Sequence, residues 1–401
     1  MDPLPLEGIR VLALENFIAG PMASMWLADA GAEVVKVERP GSGDQARDVA
    51  PVRQRDGRRQ SMAFVRANRN KRSLTLDIKS EAGREVLLEL IGAADIVLEN
   101  LNPTALARLG LDHDSLRPRF PRLIYVSVSG FGRSLRPSPL MDRTAFDVVG
   151  QAMSGLMWRP EGAVDQPRYL GFPLADIYAA TVAVSGTYQA LFHRERTGRG
   201  AYVDVSLVDG AVALNELSIV MRSMLGAETQ PGLHALAAPF GAYRARDGFV
   251  VLGVLGEAVW RRFVAALGIQ EAADRPEFAD GVSRHRHSQE LMALVQPWLD
   301  ERDVAEVVDH LAAYDVPAAP VLDVDGLLAS DHLQARGMLL NVDDPVWGPV
   351  TVAGNPLKTS IVPTDLAAAA PGLGADTDQV LSGWLDMGEA RLAALRDRGV
   401  I

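Results

Sequence analysis

The chain has 401 residues, 48% apolar and 23% charged, the balance of a folded protein with room for two or three domains. It contains no cysteine, which excludes disulfides, thiolate metal sites and a cysteine nucleophile. A formal net charge of −11 argues against general binding to nucleic acid or an anionic membrane.

Residues 8–16, GIRVLALEN, read as a strand, with no basic leader before them, so a cytoplasmic location is expected. Gly20-Pro21 opens a helix through MASMWLADAG, and AEVVKVE (32–38) is a second strand. Strand, helix and strand in about 30 residues make a βαβ unit, hence a parallel sheet. The alternation continues. SLTLDI (73–78), DIVLEN (95–100), LIYVSVSG (123–130) and AYVDVSL (201–207) are strands. SEAGREVLLELIGAA (80–94) is an amphipathic helix capped by Ser80, and NPTALARLG is a short one. The predicted fold class is α/β: an open, doubly wound parallel sheet in a large domain, with a smaller α+β domain.

The large domain is expected over 1–217, a linker over 218–240, the small domain over 241–315, and a return to the large domain over 316–401. AYRARDGFVVLGV (242–254) reads as a hairpin turning at Asp247-Gly248, followed by helices near 256–267, 288–300 and 303–314. GPVTVAG (348–354) reads as a strand, and 376–398 as a closing helix pair.

Asp176 stands before a run of 16 uncharged residues, IYAATVAVSGTYQALF (177–192), too short for the roughly 20 that cross a bilayer. The run predicts a buried core helix. Asp176 is then either its cap or a nucleophile.

Several chemistries lack their signatures. There is no G-x-S-x-G elbow and no phosphate-binding G-x-x-x-x-G-K-[ST] loop. The first strand–helix turn, ENFIAGPMAS, has no G-x-G-x-x-G. His285 and His287 have no third ligand nearby, so no metal site is expected. In an open parallel sheet, ligands sit beyond the C-terminal strand ends. The strands deliver Arg39, Lys79 and Asn100 there, with Arg108 further on. Residues 39–72 add ten basic residues against three acids, Asp44, Asp48 and Asp56. A rim of this kind suits a polyanionic, phosphate-bearing small molecule, because guanidinium groups grip phosphate oxygens in pairs.

Seven stretches then carry a resemblance. They are LADAGAEVVKVERPGSGDQAR (27–47), NRNKRSLTLDIKSEAG (68–83), ADIVLENLNPTALARLGL (94–111), VSVSGFG (126–132), TAFDVVGQAMSGL (144–156), DIYAA (176–180) and TGRGAYVDVSL (197–207). A weaker likeness runs through YDVPAAPVLDVDGLLASDHLQARGML (314–339). In this order they resemble the family III CoA-transferases, which include carnitine, formyl and bile-acid CoA-transferases and the α-methylacyl-CoA racemases. The resemblance implies a Rossmann-like large domain, a small domain and an interlocked homodimer. It implies coenzyme A or acyl-CoA as substrate, a small carboxylic acid as its partner, and no permanently bound cofactor. By motif, the catalytic aspartate is Asp176. The CoA-contacting positions are Ile18, Arg39, Leu76, Lys79, Asn100, Leu101, Arg108, Thr144 and Ala145.

Three positions depart from family patterns. The formyl-CoA type has glutamine at the position of Ile18 and lysine at that of Thr144, with Arg143 adjacent here. The racemases have histidine directly before the aspartate matching Asp147, where this chain has Phe146. Without that base, α-methylacyl-CoA racemisation ranks second to CoA transfer, and a non-catalytic CoA-binding protein third. The acyl pocket is expected from the linker and the small domain, with Met221, Met224, Leu225 and Leu233.

Overall fold

The computed structural model of the chain describes residues 3–133, 135–158, 167–226, 237–365 and 367–401. Six strands form one parallel sheet: β1 (Arg10–Leu14), β2 (Glu33–Glu38), β3 (Arg72–Thr75), β4 (Ile96–Glu99), β5 (Ile124–Ser129) and β6 (Tyr202–Ser206). Their spatial order is β3-β2-β1-β4-β5-β6, and every neighbouring pair is parallel. This is the strand order of the doubly wound dinucleotide-binding fold.

The strands read as near-continuous apolar runs because helices cover both faces. Side chains alternate between the faces. Val11, Ala13, Ile96 and Leu98 point to one core, shared with α1 (Ala19–Asp29). Leu12, Leu14, Val35 and Val97 point to the other, shared with α2 (Glu81–Ala93) and the closing helices Thr377–Leu385 and Glu389–Asp397. Ser80 caps α2 as the sequence predicts, its Oγ accepting from the Gly83 N–H at 3.0 Å. A short helix, α3 (Asp147–Met153), and a long one, α4 (Leu174–Thr197), connect β5 towards β6. Small residues at helical spacing, Ala175, Ala179, Ala183 and Ala190, line the buried face of α4.

Two expectations about α4 are corrected. The helix is buried on one face only, since Val182 and Phe192 are exposed. It begins at Leu174, so Asp176 lies inside its first turn and does not cap it. No helix among the described residues is long and apolar enough to cross a membrane.

The chain divides into two compact units. The first takes in Met1–Met157, Tyr169–Asn215 and Asp331–Ile401, and holds the six-stranded sheet. The second is centred on Glu216–Ser330. Its sheet has the expected hairpin, Phe240–Arg244 against Phe249–Gly253, and a third strand, Ala318–Pro320. The expected helices appear at Glu257–Leu267, Ser288–Asp300 and Val304–Ala312. Two boundaries differ from expectation. Residues 216–225 form a helix with Met221 buried and Met224 and Leu225 exposed, where a linker had been read from its irregular period. Residues 318–320 pair with the hairpin, so the chain rejoins the first unit at Asp331, not at 316. Leu233 lies outside the described residues.

Candidate active site

The sheet order reverses between β1 and β4, where ligand crevices of doubly wound sheets open. Asn16 follows β1 and Asn100 follows β4. The Asn16 N–H donates to Asn100 Oδ1 at 2.8 Å, and Asn100 Nδ2 donates to the Asn16 carbonyl at 2.8 Å. Two cavities flank this clasp. The first, of about 320 Å³, is walled by the turn Asn16–Ala19, by Asn100–Asn102, by Val128–Gly130, by Arg143–Phe146 and by Asp176. The second, of about 240 Å³, lies beyond β2 and β3 and is lined by Glu38, Arg39, Gly43, Leu76 and Lys79 among others. Asn16, Gln45 and Leu101 line both. Gly130 lets the 143–146 segment close on the end of β5: a Cβ there would stand 2.3 Å from that of Ala145.

Buried charges hold these turns from beneath. Lys71 Nζ donates to Glu15 Oε1 at 2.7 Å, to the Pro21 carbonyl at 2.8 Å and to Asn68 Oδ1 at 2.9 Å. Lys36 pairs with Asp44 at 2.8 Å, and Asp44 Oδ1 accepts from the Phe17 N–H at 3.1 Å. Phe17 needs this anchor, because its φ of 63° is one that non-glycine residues seldom adopt. Burial pushes the Lys71 ammonium down to about 8, against the opposing pull of Glu15. Glu99 accepts from the Leu101 N–H at 2.9 Å while Arg133 donates to the Leu101 carbonyl at 2.9 Å, fixing the residue that walls both cavities.

The basic stretch 39–72 is thereby explained for the most part as structure. Arg47 pairs with Glu38, Arg59 with Asp48, Arg69 with Asp29 and Arg72 with Glu33. The rim reading keeps Arg39, which lines the second cavity with Lys79.

Asp176 occupies the third position of α4. The orphan N–H groups of that first turn are taken by another acid. Asp147, at the start of α3, accepts from the Ala175 N–H at 2.7 Å and the Asp176 N–H at 3.2 Å. Its second oxygen accepts from Gln151 Nε2 at 2.6 Å. Tyr169 also hydrogen-bonds Asp147; burial and then this carboxylate raise its phenol. Backbone capping is thus done by Asp147, which frees the Asp176 carboxylate to line the first cavity. Burial, and next the like charge of Asp147, push Asp176 from 3.8 up to about 7, with Arg66 pulling the other way.

Of the positions named from sequence, Asp176, Ile18, Asn100, Leu101, Thr144 and Ala145 line the first cavity. Arg39, Leu76, Lys79 and again Leu101 line the second. The Leu76 side chain is buried in the core, so only its backbone faces a ligand. Arg108, exposed at the end of the short helix Pro103–Arg108, lines neither. Sequence reading missed Asn16, Gln45 and the capping role of Asp147. The last has no local signal, because Asp147 and the Ala175 N–H are 28 residues apart.

The CoA-transferase family III model matches residues 6–377. Succinate–glutarate CoA-transferase of Agrobacterium fabrum is 33% identical, covering 94% of this chain and 95% of the relative. Succinyl-CoA–D-citramalate CoA-transferase of Chloroflexus aurantiacus is 32% identical, covering 100% and 98%. The crystal structure of a CAIB/BAIF family protein from Brucella suis superposes with a TM-score of 0.81 at 30% identity, covering 96% of this chain and 100% of that one. The chain belongs to CoA-transferase family III.

Proposed function

We propose that the protein moves coenzyme A from an acyl-CoA donor to a carboxylic acid acceptor, with Asp176 as the covalent relay. One observation carries this reading: a carboxylate relieved of capping faces a cavity at the switch point, next to a second cavity lined by Arg39 and Lys79. The Asp176 carboxylate attacks the donor thioester carbonyl, giving an acyl–aspartyl anhydride and CoA thiolate. The thiolate attacks the aspartyl carbonyl, releasing the donor acid and leaving an aspartyl-CoA thioester. The acceptor carboxylate attacks that thioester and expels the thiolate again. The thiolate then attacks the acceptor's acyl carbonyl in the second anhydride, which yields the new acyl-CoA and restores Asp176.

Arg39 and Lys79 in the second cavity would hold the phosphates, with Ile18, Asn100, Leu101, Thr144 and Ala145 along the path to Asp176. Retention of the phosphates keeps the thiolate in place between steps. Each step builds charge on a carbonyl oxygen, which needs donors nearby, and the backbone of Ile18–Ala19 at the start of α1 lines the same cavity. The racemase reading falls behind because Phe146 and Asp176 share that cavity and no histidine lines it.

The test is isotope exchange. Labelled acyl-CoA incubated with an unlabelled acid should yield the acid's CoA ester, and Asp176→Asn should abolish it. Enzyme-dependent exchange of the α-hydrogen of a 2-methylacyl-CoA in D₂O, without transfer, would favour the racemase instead.

A homodimer is part of the same proposal. The exposed apolar side chains Val182 and Phe192 on α4 support it, since such groups are usually covered in an assembly.

A further inference from the structure

The lining of the first cavity carries two charged side chains among the described residues, Asp176 and Arg143. Among those residues the Arg143 guanidinium makes no hydrogen bond or ion pair; only its backbone N–H is engaged, donating to the Leu140 carbonyl at 2.9 Å. The phosphate-binding cations proposed above, Arg39 and Lys79, line the other cavity, so the charge of Arg143 is left over where the acyl group must lie. The neighbouring wall is apolar. Phe17 and Phe146 meet edge to face at 5.5 Å, next to Ile18 and Ala145. The groups that act on the Asp176 charge are Asp147 and Arg66; Arg143 is not one of them, so it stands apart from the nucleophile. A thioester carbonyl placed at Asp176 therefore has an apolar wall beside it and an unpaired cation further along.

We propose that Arg143 binds a second carboxylate on the acyl group, making the enzyme selective for dicarboxylic acyl-CoA thioesters over their monocarboxylic counterparts. This rests on the transferase reading above. A guanidinium matches a carboxylate with two parallel N–H···O bonds, and the rim of the cavity lets a flexible acyl chain of a few methylenes reach it. An aliphatic acyl chain of the same length would leave the cation unpaired in the closed site, which is the penalty that separates the two substrates.

The experiment compares succinyl-CoA with butyryl-CoA, which are alike in length but differ in the terminal carboxylate, using the wild type, Arg143→Gln and Arg143→Lys. The wild type should favour succinyl-CoA. In Arg143→Gln the ratio of kcat/KM for succinyl-CoA over butyryl-CoA should fall by about 10–100-fold, the range for loss of a charge-assisted contact. Arg143→Lys should recover part of the ratio, since it keeps the charge but loses the fork. Binding of free CoA, measured by calorimetry, separates the other role open to this residue. An unchanged ratio in Arg143→Gln overturns the inference, as does a loss of free CoA affinity that accounts for equal losses on both donors. In both cases continuing transfer to a carboxylic acid leaves the transferase reading standing. If neither donor supports transfer to any acid acceptor, that reading and this inference fall together.

Discussion

Asp176 and Asp147 divide between them what a single acid at a helix start usually does. Asp147 takes the backbone N–H groups, and Asp176 is left half-buried with a carboxyl raised to about 7. As nucleophile it must be ionised, so kcat/KM for acyl-CoA should fall tenfold per unit of pH below about 7. Asp147→Asn removes the like charge while its Oδ1 still accepts from α4, so the fall should move to lower pH; a limb that stays put would show that another group controls it. The same shift has a cost for folding. The folded chain holds the Asp176 proton between the ordinary 3.8 and about 7, where the unfolded chain has lost it. Stability contributed by this group therefore declines as pH rises through that window and stays low above it. Asp176→Asn should be more stable than the wild type above pH 7. The gain should be on the order of 1–3 kcal/mol and should shrink towards pH 4. Chemical denaturation at pH 5 and pH 8 checks it, and a destabilised Asn variant at pH 8 would contradict it.

At the scale of elements, the turn from β1 into α1 is where sequence, burial and site meet. Lys71 ties the Pro21 carbonyl, and Asp44 ties the Phe17 N–H, so both sides of the start of α1 rest on buried charge. Lys71→Met strips Glu15 of its 2.7 Å partner inside the core. Breaking a buried pair in this way costs about 3–5 kcal/mol, readable in urea denaturation, and CoA affinity should weaken with it. A variant that kept both would place Lys71 outside the support of the site. The strands that lead into this turn were legible because their two buried faces leave near-continuous runs such as VLAL and EVVKVE. The ends of those strands named Arg39, Lys79 and Asn100 for the same reason. What escaped the sequence was pairing at a distance. The acids that neutralise Arg69, Lys71 and Arg72 are Asp29, Glu15 and Glu33, outside the 39–72 stretch, so the stretch looked far more basic than the folded surface is. The start of α4 was misread because its capping acid belongs to α3.

At the scale of the whole molecule, the six-stranded sheet supplies both cavities, and Leu101, Asn16 and Gln45 stand where one leads to the other. An interlocked pair should show twice the chain mass by light scattering at micromolar concentration; a monomer at that concentration would contradict the proposed dimer. The central claim is that Asp176 carries the substrate covalently. Its position in a partly closed cavity, not on an open loop, lets an anhydride survive until the thiolate returns. The direct measurement is to incubate the enzyme with acyl-CoA and hydroxylamine and analyse the peptide containing residues 171–193 by mass spectrometry. A hydroxamate on Asp176 that forms only during turnover, and is absent from Asp176→Asn, is the predicted result. Turnover with Asp176 never modified, or transfer activity retained by the Asn variant, would contradict it.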